Sequence, residues 1–152
     1  MNELAFSVAV MTVEDVPSVL LLWESIPEVR LLEGEDRRSI DKLLSEQRGR
    51  SFVARGPGGD LIGAICGGTV GAVGVIRHLA VAEASRGRGI GTALVNACVE
   101  ALRAADIARI AAFVRPDNPT GTKFWEHLGW SHNQGYVCLE KSLTAGPGRT
   151  HE

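Results

Sequence analysis

Cysteine is scarce in this chain of 152 residues: Cys66, Cys98 and Cys138 are the only three, widely spaced and without a Cys-x-x-Cys pair. That pattern supports neither a zinc site nor a disulfide framework, and an odd count suits a reducing compartment. We read all three as small core residues, and no metal is expected. An excess of charge is lacking as well. Lys plus Arg total 16 and Asp plus Glu 18, a net charge of −2, which offers no hold for nucleic acid or an acidic membrane. No stretch reaches the ~20 apolar residues of a membrane span. The N-terminus has no basic region followed by a long apolar run, so no secretory leader is expected and the chain is expected in the cytoplasm. Internal repeats are absent, and Tyr136 is the only tyrosine.

What is present is an ordinary globular balance, 45% hydrophobic and 22% charged, in a length that fits one domain. Leu4 to Met11 reads as a strand. Thr12 or Asp15 can cap the helix that follows, with Asp15 placing Pro17 in the first turn. Val16, Val19, Leu20 and Trp23 share one face of that helix. Ser25 to Gly34 is a loop, and Asp36 to Arg48 a second helix with the stripe Ile40, Leu43 and Leu44, ended by Gly49. Strands over Ser51–Arg55 and Leu61–Cys66 flank a turn at Gly56-Pro57-Gly58-Gly59-Asp60. Gly67 to Gly74 reads as flexible, and Val75 to Val81 as a strand. Ile90 to Ala105 has a helical period. Arg109–Val114 is a strand, Thr120–His127 a short helix and Gly135–Leu143 a last strand. The domain spans 1–143, and the tail from Thr144 is expected to be disordered. Hairpins followed by a β-α-β unit predict an α/β fold: a mixed, mostly antiparallel central sheet flanked by helices.

The strongest chemical signal follows the strand that ends at Val81. Arg86-Gly87-Arg88-Gly89-Ile90-Gly91 opens a helix. A helix start leaves backbone N–H groups unpaired, and its dipole favours an anion. Glycines let a ligand come close, and Arg86 and Arg88 add positive charge. A Walker loop needs Gly-Lys-Ser/Thr, which is missing. A dinucleotide loop needs glycine at position 92 or 94, which hold Thr92 and Leu94. On spacing alone the loop is either an anion cradle or an ordinary tight connection.

Arg86, Gly89 and Gly91, after a strand ending Leu79-Ala80-Val81, resemble the coenzyme-binding signature of the GNAT acetyltransferases. Asn118, Phe124-Trp125 and Gly129-Trp130 are similar to that family's second signature. The element order agrees with it from Leu4 to Leu143. The resemblance implies a GNAT-like fold and an N-acetyltransferase that uses acetyl-coenzyme A and a primary amine of a small molecule or protein. It also implies a V-shaped opening between the strands ending at Val81 and near Val114. There the pantetheine arm would meet the backbone of Leu79, Ala80 and Val81. The pyrophosphate would sit on Arg86, Gly87, Arg88, Gly89, Ile90 and Gly91, with Asn118 and Trp125 completing the site. The backbone N–H of Leu79 would face the thioester oxygen. An acyl-coenzyme A sensor without catalysis is the alternative, and an exposed edge near the last strand suits a homodimer.

The usual acid and base of the family are not at their expected places. The acid position is Trp125, whose indole is no acid, which leaves Tyr136 as the substitute. No glutamate stands on the central strand. His78 is the candidate base, and Glu33 and Glu35 are candidates to attract a cationic amine or relay its proton. His127 and His132 are read as a helix end and a turn.

Overall fold

Five stretches rich in Val, Ile and Ala pair side by side in a computed structural model that describes residues 5–144. In chain order they are β1 (Ser7–Val10), β2 (Phe52–Arg55), β3 (Leu61–Val70), β4 (Val73–Val81) and β5 (Arg109–Ala112). The sheet runs β1-β2-β3-β4-β5. The first three pairings are antiparallel and β4–β5 is parallel. The mixed, mostly antiparallel sheet expected from the sequence is therefore present.

Helices cover both faces. Helices α1 (Val16–Glu24) and α2 (Arg37–Glu46) lie on one, and α3 (Ile90–Ala104) and α4 (Pro119–His127) on the other. Alternation along the strands divides the core accordingly. Val53, Ala64, Cys66 and Ala80 pack with Val19, Trp23 and Ile40. Ala54, Ile65 and Ile76 pack with Leu94, Cys98 and Leu102, and Phe124, Trp125 and Trp130 close around them. Cys66 and Cys98 are core residues, and burial pushes both thiols up to about 12, so neither is a nucleophile near neutral pH. Cys138, expected in the core with them, is exposed instead, because the segment around it packs on no sheet edge.

The faces expose an irregularity in β4. Residues 76 and 80 should share a face at a period of two, yet Ile76 packs under α3 and Ala80 under α1 and α2. One extra residue lies between them. Ala80 is opposite Ala64 and Arg77 opposite Cys66, so His78 and Leu79 together face Ile65. This is a β-bulge, with His78 in the left-handed region at φ 58°. Trp23, fully buried, donates from Nε1 to the His78 carbonyl at 3.1 Å, and the two rings lie 4.9 Å apart.

Three further expectations need correction. Gly67 to Gly74 is not flexible: β3 continues to Val70 and β4 begins at Val73. The glycine at 67 marks a close approach, since a Cβ there would strike the Arg50 carbonyl and the Cys98 sulfur. The last strand over Gly135–Leu143 does not form. Asn133 turns the chain by accepting the N–H groups of Gly135 and Tyr136 at 2.6 and 3.1 Å, and Val137 and Leu139 stand in solvent. Strand propensity needs a partner to pack on, and β5, four residues long, offers little edge. The sheet edge is thus β5 itself. Asp15 sits at the cap of α1, but its carboxylate serves the N–H and hydroxyl of Thr12 and the Arg55 guanidinium instead of the helix. Residues 145–152 of the expected tail, and Leu4 at the start of the first strand, lie outside the described residues.

Trp23→Phe should lower stability by about 2–4 kcal/mol, from an unpaired carbonyl and lost volume. Urea unfolding checks this; a change below about 0.5 kcal/mol would mean that the indole does not anchor the bulge.

Candidate active site

The bulge opens the sheet. β4 and β5 stay in register from Val73↔Arg109 to Ile76↔Ala112 and then part. Beyond that point no strand among the described residues lies beside the β4 edge, and a cleft of about 880 Å³ occupies the gap. Its walls are Ile76 to Val81 on one side and Phe113 to Pro116 on the other. The V-shaped opening expected between Val81 and Val114 is where the strands separate.

One end of the cleft is the start of α3. Gly89 takes the N-cap position with φ 83°, and Gly87 has φ 80°. Side chains avoid that conformation, and a Cβ at either glycine would project into open space. No side chain caps α3. Among the described residues the N–H groups of Gly89, Ile90, Gly91 and Thr92 find no acceptor, so they remain available to a ligand. Gly91 has a different role: a Cβ there would come within 3.3 Å of the Phe124 ring, so its glycine lets α4 lie close to α3. Arg86 donates from Nε to the Val81 carbonyl at 3.1 Å, holding an exposed guanidinium over the loop.

The other end is built by the loop between α1 and α2. Ile26, Glu28, Val29, Arg30 and Leu32 line it, facing His78. Glu35 in this loop meets His78 at 2.9 Å, Oε2 to Nε2, and lies 3.8 Å from the Arg77 guanidinium. Its other oxygen accepts the Leu32 N–H at 2.7 Å. Asp36 caps α2 immediately afterwards, in a reciprocal box with Ser39, so the carboxylate is held from both sides. Burial alone would raise the Glu35 carboxyl. The hydrogen bonds from His78 and Leu32 and the charges of His78 and Arg77 outweigh it and hold the group below its ordinary 4.5.

The candidate residues therefore separate. Leu79, Ala80, Val81, Arg86, Gly87, Gly89, Ile90, Gly91, Asn118, Trp125 and His78 all line the one cleft. Asn118 spends its side-chain oxygen on capping α4, accepting from Gly121 at 2.9 Å, which leaves its N–H₂ to face a ligand. Trp125 packs edge-on against Phe124 and Trp130. Arg88 turns away and lines a separate cavity of about 150 Å³ beside Phe6 and Asp60. Tyr136 is 76% exposed and is not among the lining residues. Glu33 is also outside the cleft wall, and its Oε2 accepts from the Thr144 hydroxyl. His127 ends α4, and His132 pairs with Glu126 at 2.7 Å. The sequence named Glu35 only beside Glu33. Its distinction, the contact with His78 across 43 positions, is a tertiary fact without a local signal.

The family model described as "Acetyltransferase (GNAT) family" matches residues 17–130. An acetyltransferase of Sodalis glossinidius is 29% identical over 130 residues, 86% of this chain and 90% of its own length. Among solved structures, an acetyltransferase of the GNAT family from Staphylococcus aureus Mu50 aligns with a TM-score of 0.77 at 13% identity, over 88% of this chain and 90% of its own. Ard1 from Thermoplasma volcanium aligns with a TM-score of 0.72 at 24% identity, over 82% of each chain. At such identities these two structures establish a shared fold.

A carboxyl whose pKa is depressed on folding stabilises the fold fully above its unfolded value, and that contribution is lost as the pH falls through the folded one. Glu35→Gln should therefore cost stability at pH 7, and the gap from wild type should close as the pH drops below 4.5. Denaturant midpoints at pH 7 and at acid pH test this; a gap that does not change with pH would contradict it.

Proposed function

The chain belongs to the acetyltransferase (GNAT) family, and from that premise we propose that it transfers an acetyl group from acetyl-coenzyme A to a primary amine of a small molecule or peptide. The observation that carries this reading is the meeting, in one cleft, of an uncapped helix N-terminus and a strand edge without a neighbour. The first offers N–H groups and a positive dipole to a pyrophosphate. The second offers backbone groups to an extended amide-containing arm, much as a sheet edge takes up a strand. Coenzyme A carries both features, and the residues present fit it.

In this reading Gly87 and Gly89 keep the loop free of side chains while Arg86 adds charge-assisted hydrogen bonds to the phosphates. The arm runs beside Leu79, Ala80 and Val81, with Asn118 and Trp125 at the opposite wall. The bound donor supplies a thioester, whose oxygen gains negative charge as the amine attacks. In this reading the Leu79 N–H, on the bulge, stabilises that charge.

The acceptor enters past Glu28, Val29, Arg30 and Leu32. An amine with a pKa near ~10.4 is neutral in only about one molecule in ~2,500 at pH 7, so deprotonation is the demanding proton transfer. The leaving thiol, near ~8.5, departs as a thiolate without much help. Trp125 at the family's acid position and Tyr136 out in solvent are compatible with that chemistry.

Arg86→Glu should weaken coenzyme A binding about tenfold or more, roughly 1.4 kcal/mol. Gly89→Ala, strained at φ 83°, should weaken it by a similar amount. Calorimetry reads both; affinities unchanged in both variants would remove the phosphate cradle from the account. Thiol release across a panel of amines tests transfer, and coenzyme binding without turnover on any amine would favour a sensor.

A further inference from the structure

We propose that Glu35 and His78 act as a pair in which the Glu35 carboxylate fixes the His78 ring as its Nε2–H tautomer and the bare Nδ1 takes the proton of the acceptor amine. The assignment rests on the reading of the chain as an N-acetyltransferase.

The tautomer follows from the contact. An ionised carboxylate only accepts, so the 2.9 Å approach of Nε2 to Glu35 Oε2 requires the proton on Nε2. In the neutral ring the lone pair is then on Nδ1, which has no hydrogen-bond partner among the described residues. The depressed pKa of Glu35 means that its charge is in place at neutral pH. The ring has little freedom to turn, being 10% exposed and set against the buried Trp23.

The backbone gives independent support. Non-glycine residues avoid the left-handed region, yet His78 sits there at φ 58° on the wall of the cleft. Glycine or asparagine would relieve that strain. Strain that persists where a side chain lines a reaction cleft is a pointer to use of that side chain.

The proton movements balance. Nδ1 takes one proton from the acceptor ammonium and passes it to solvent. The nitrogen lone pair forms the N–C bond, the C–S bond breaks with its electrons on sulfur, and the remaining excess proton of the nitrogen goes to that thiolate. The products are the amide, the free thiol and one proton in solution. Glu35 is a positioning residue here, whereas His78 meets the substrate. Besides Glu35, the charged groups that line the cleft with His78 are Arg77 on its own strand, Glu28 and Arg30 from the loop, Arg86 at the far end, Arg115 after β5, and Glu140.

His78→Asn and His78→Gly both suit the left-handed backbone and should fold. Coenzyme A affinity should stay within about twofold of wild type, while kcat/KM falls ~100-fold or more and loses its ascending limb with pH. Added imidazole should restore part of the turnover of His78→Gly. Glu35→Gln can donate to the ring and reverse the tautomer, so kcat should fall with little change in KM for the coenzyme, and Glu35→Asp should recover part of it. Nitrogen chemical shifts of His78 should show Nε2–H in the wild type. The pair is overturned if the wild type turns over and His78→Asn has a superimposable pH profile, or if His78 carries its proton on Nδ1. A wild type that transfers acetyl to no amine overturns the functional reading, and the base with it.

Discussion

The extra residue in β4 is the constraint on which the rest of the molecule turns. Without the bulge at His78–Leu79, Ala80 would point to the same face as Ile76, and the two halves of the core could not both close. With it, the strand bends out of register with β5, the sheet opens after Ile76 and Ala112, and the cleft appears in the gap. The strain at φ 58° is held by contacts that converge from a distance. Trp23 fixes the carbonyl, Glu35 fixes the ring, and Ala80 is locked into the core beneath α1. Helix α1 and the loop behind it are thus part of the device that keeps the strands apart.

The same arrangement explains why the two ends of the cleft differ in character. At the α3 end the positive potential comes from the backbone, because glycines at φ 80° and 83° leave N–H groups uncovered. At the α1–α2 end the charges belong to side chains: Glu28, Arg30 and Arg77 line the wall, and Glu35 pairs with Arg77 at 3.8 Å. Backbone charge is fixed in place and cannot titrate, which suits the holding of a phosphate. Side-chain charge can move protons, which suits chemistry on an amine. The division of labour follows from what each group can do.

Much of this was legible in the sequence, for identifiable reasons. Helical stripes, the hairpin turn and the glycine loop are local patterns, and ten of the residues expected to bind the coenzyme line the cleft. Arg88 lines a separate cavity, because adjacent residues of a loop share composition but diverge in direction. Gly67 was read as flexible because a sequence does not distinguish glycine chosen for freedom from glycine chosen for close approach. The strand expected at Gly135–Leu143 had propensity but no partner edge. Glu35 was no more conspicuous than Glu33, since its value depends on a strand more than forty positions away.

The missing tyrosine takes on a different meaning beside this geometry. An acid that protonates the leaving group matters most when that group is a poor one, and a thiolate is tolerable at neutral pH. In the proposed amine acetylation the barrier is then dominated by freeing the nitrogen lone pair of the amine and by stabilising charge on the thioester oxygen. In the proposed reaction both demands meet at the bulge, where the Leu79 N–H and the His78 ring come from consecutive residues of one strained turn of strand. A single irregularity therefore orients two groups at once, and the surrounding contacts with Trp23 and Glu35 stiffen both together. A site arranged this way has little need of an acid on the opposite wall, which leaves the position taken by Trp125 to packing against Phe124 and Trp130.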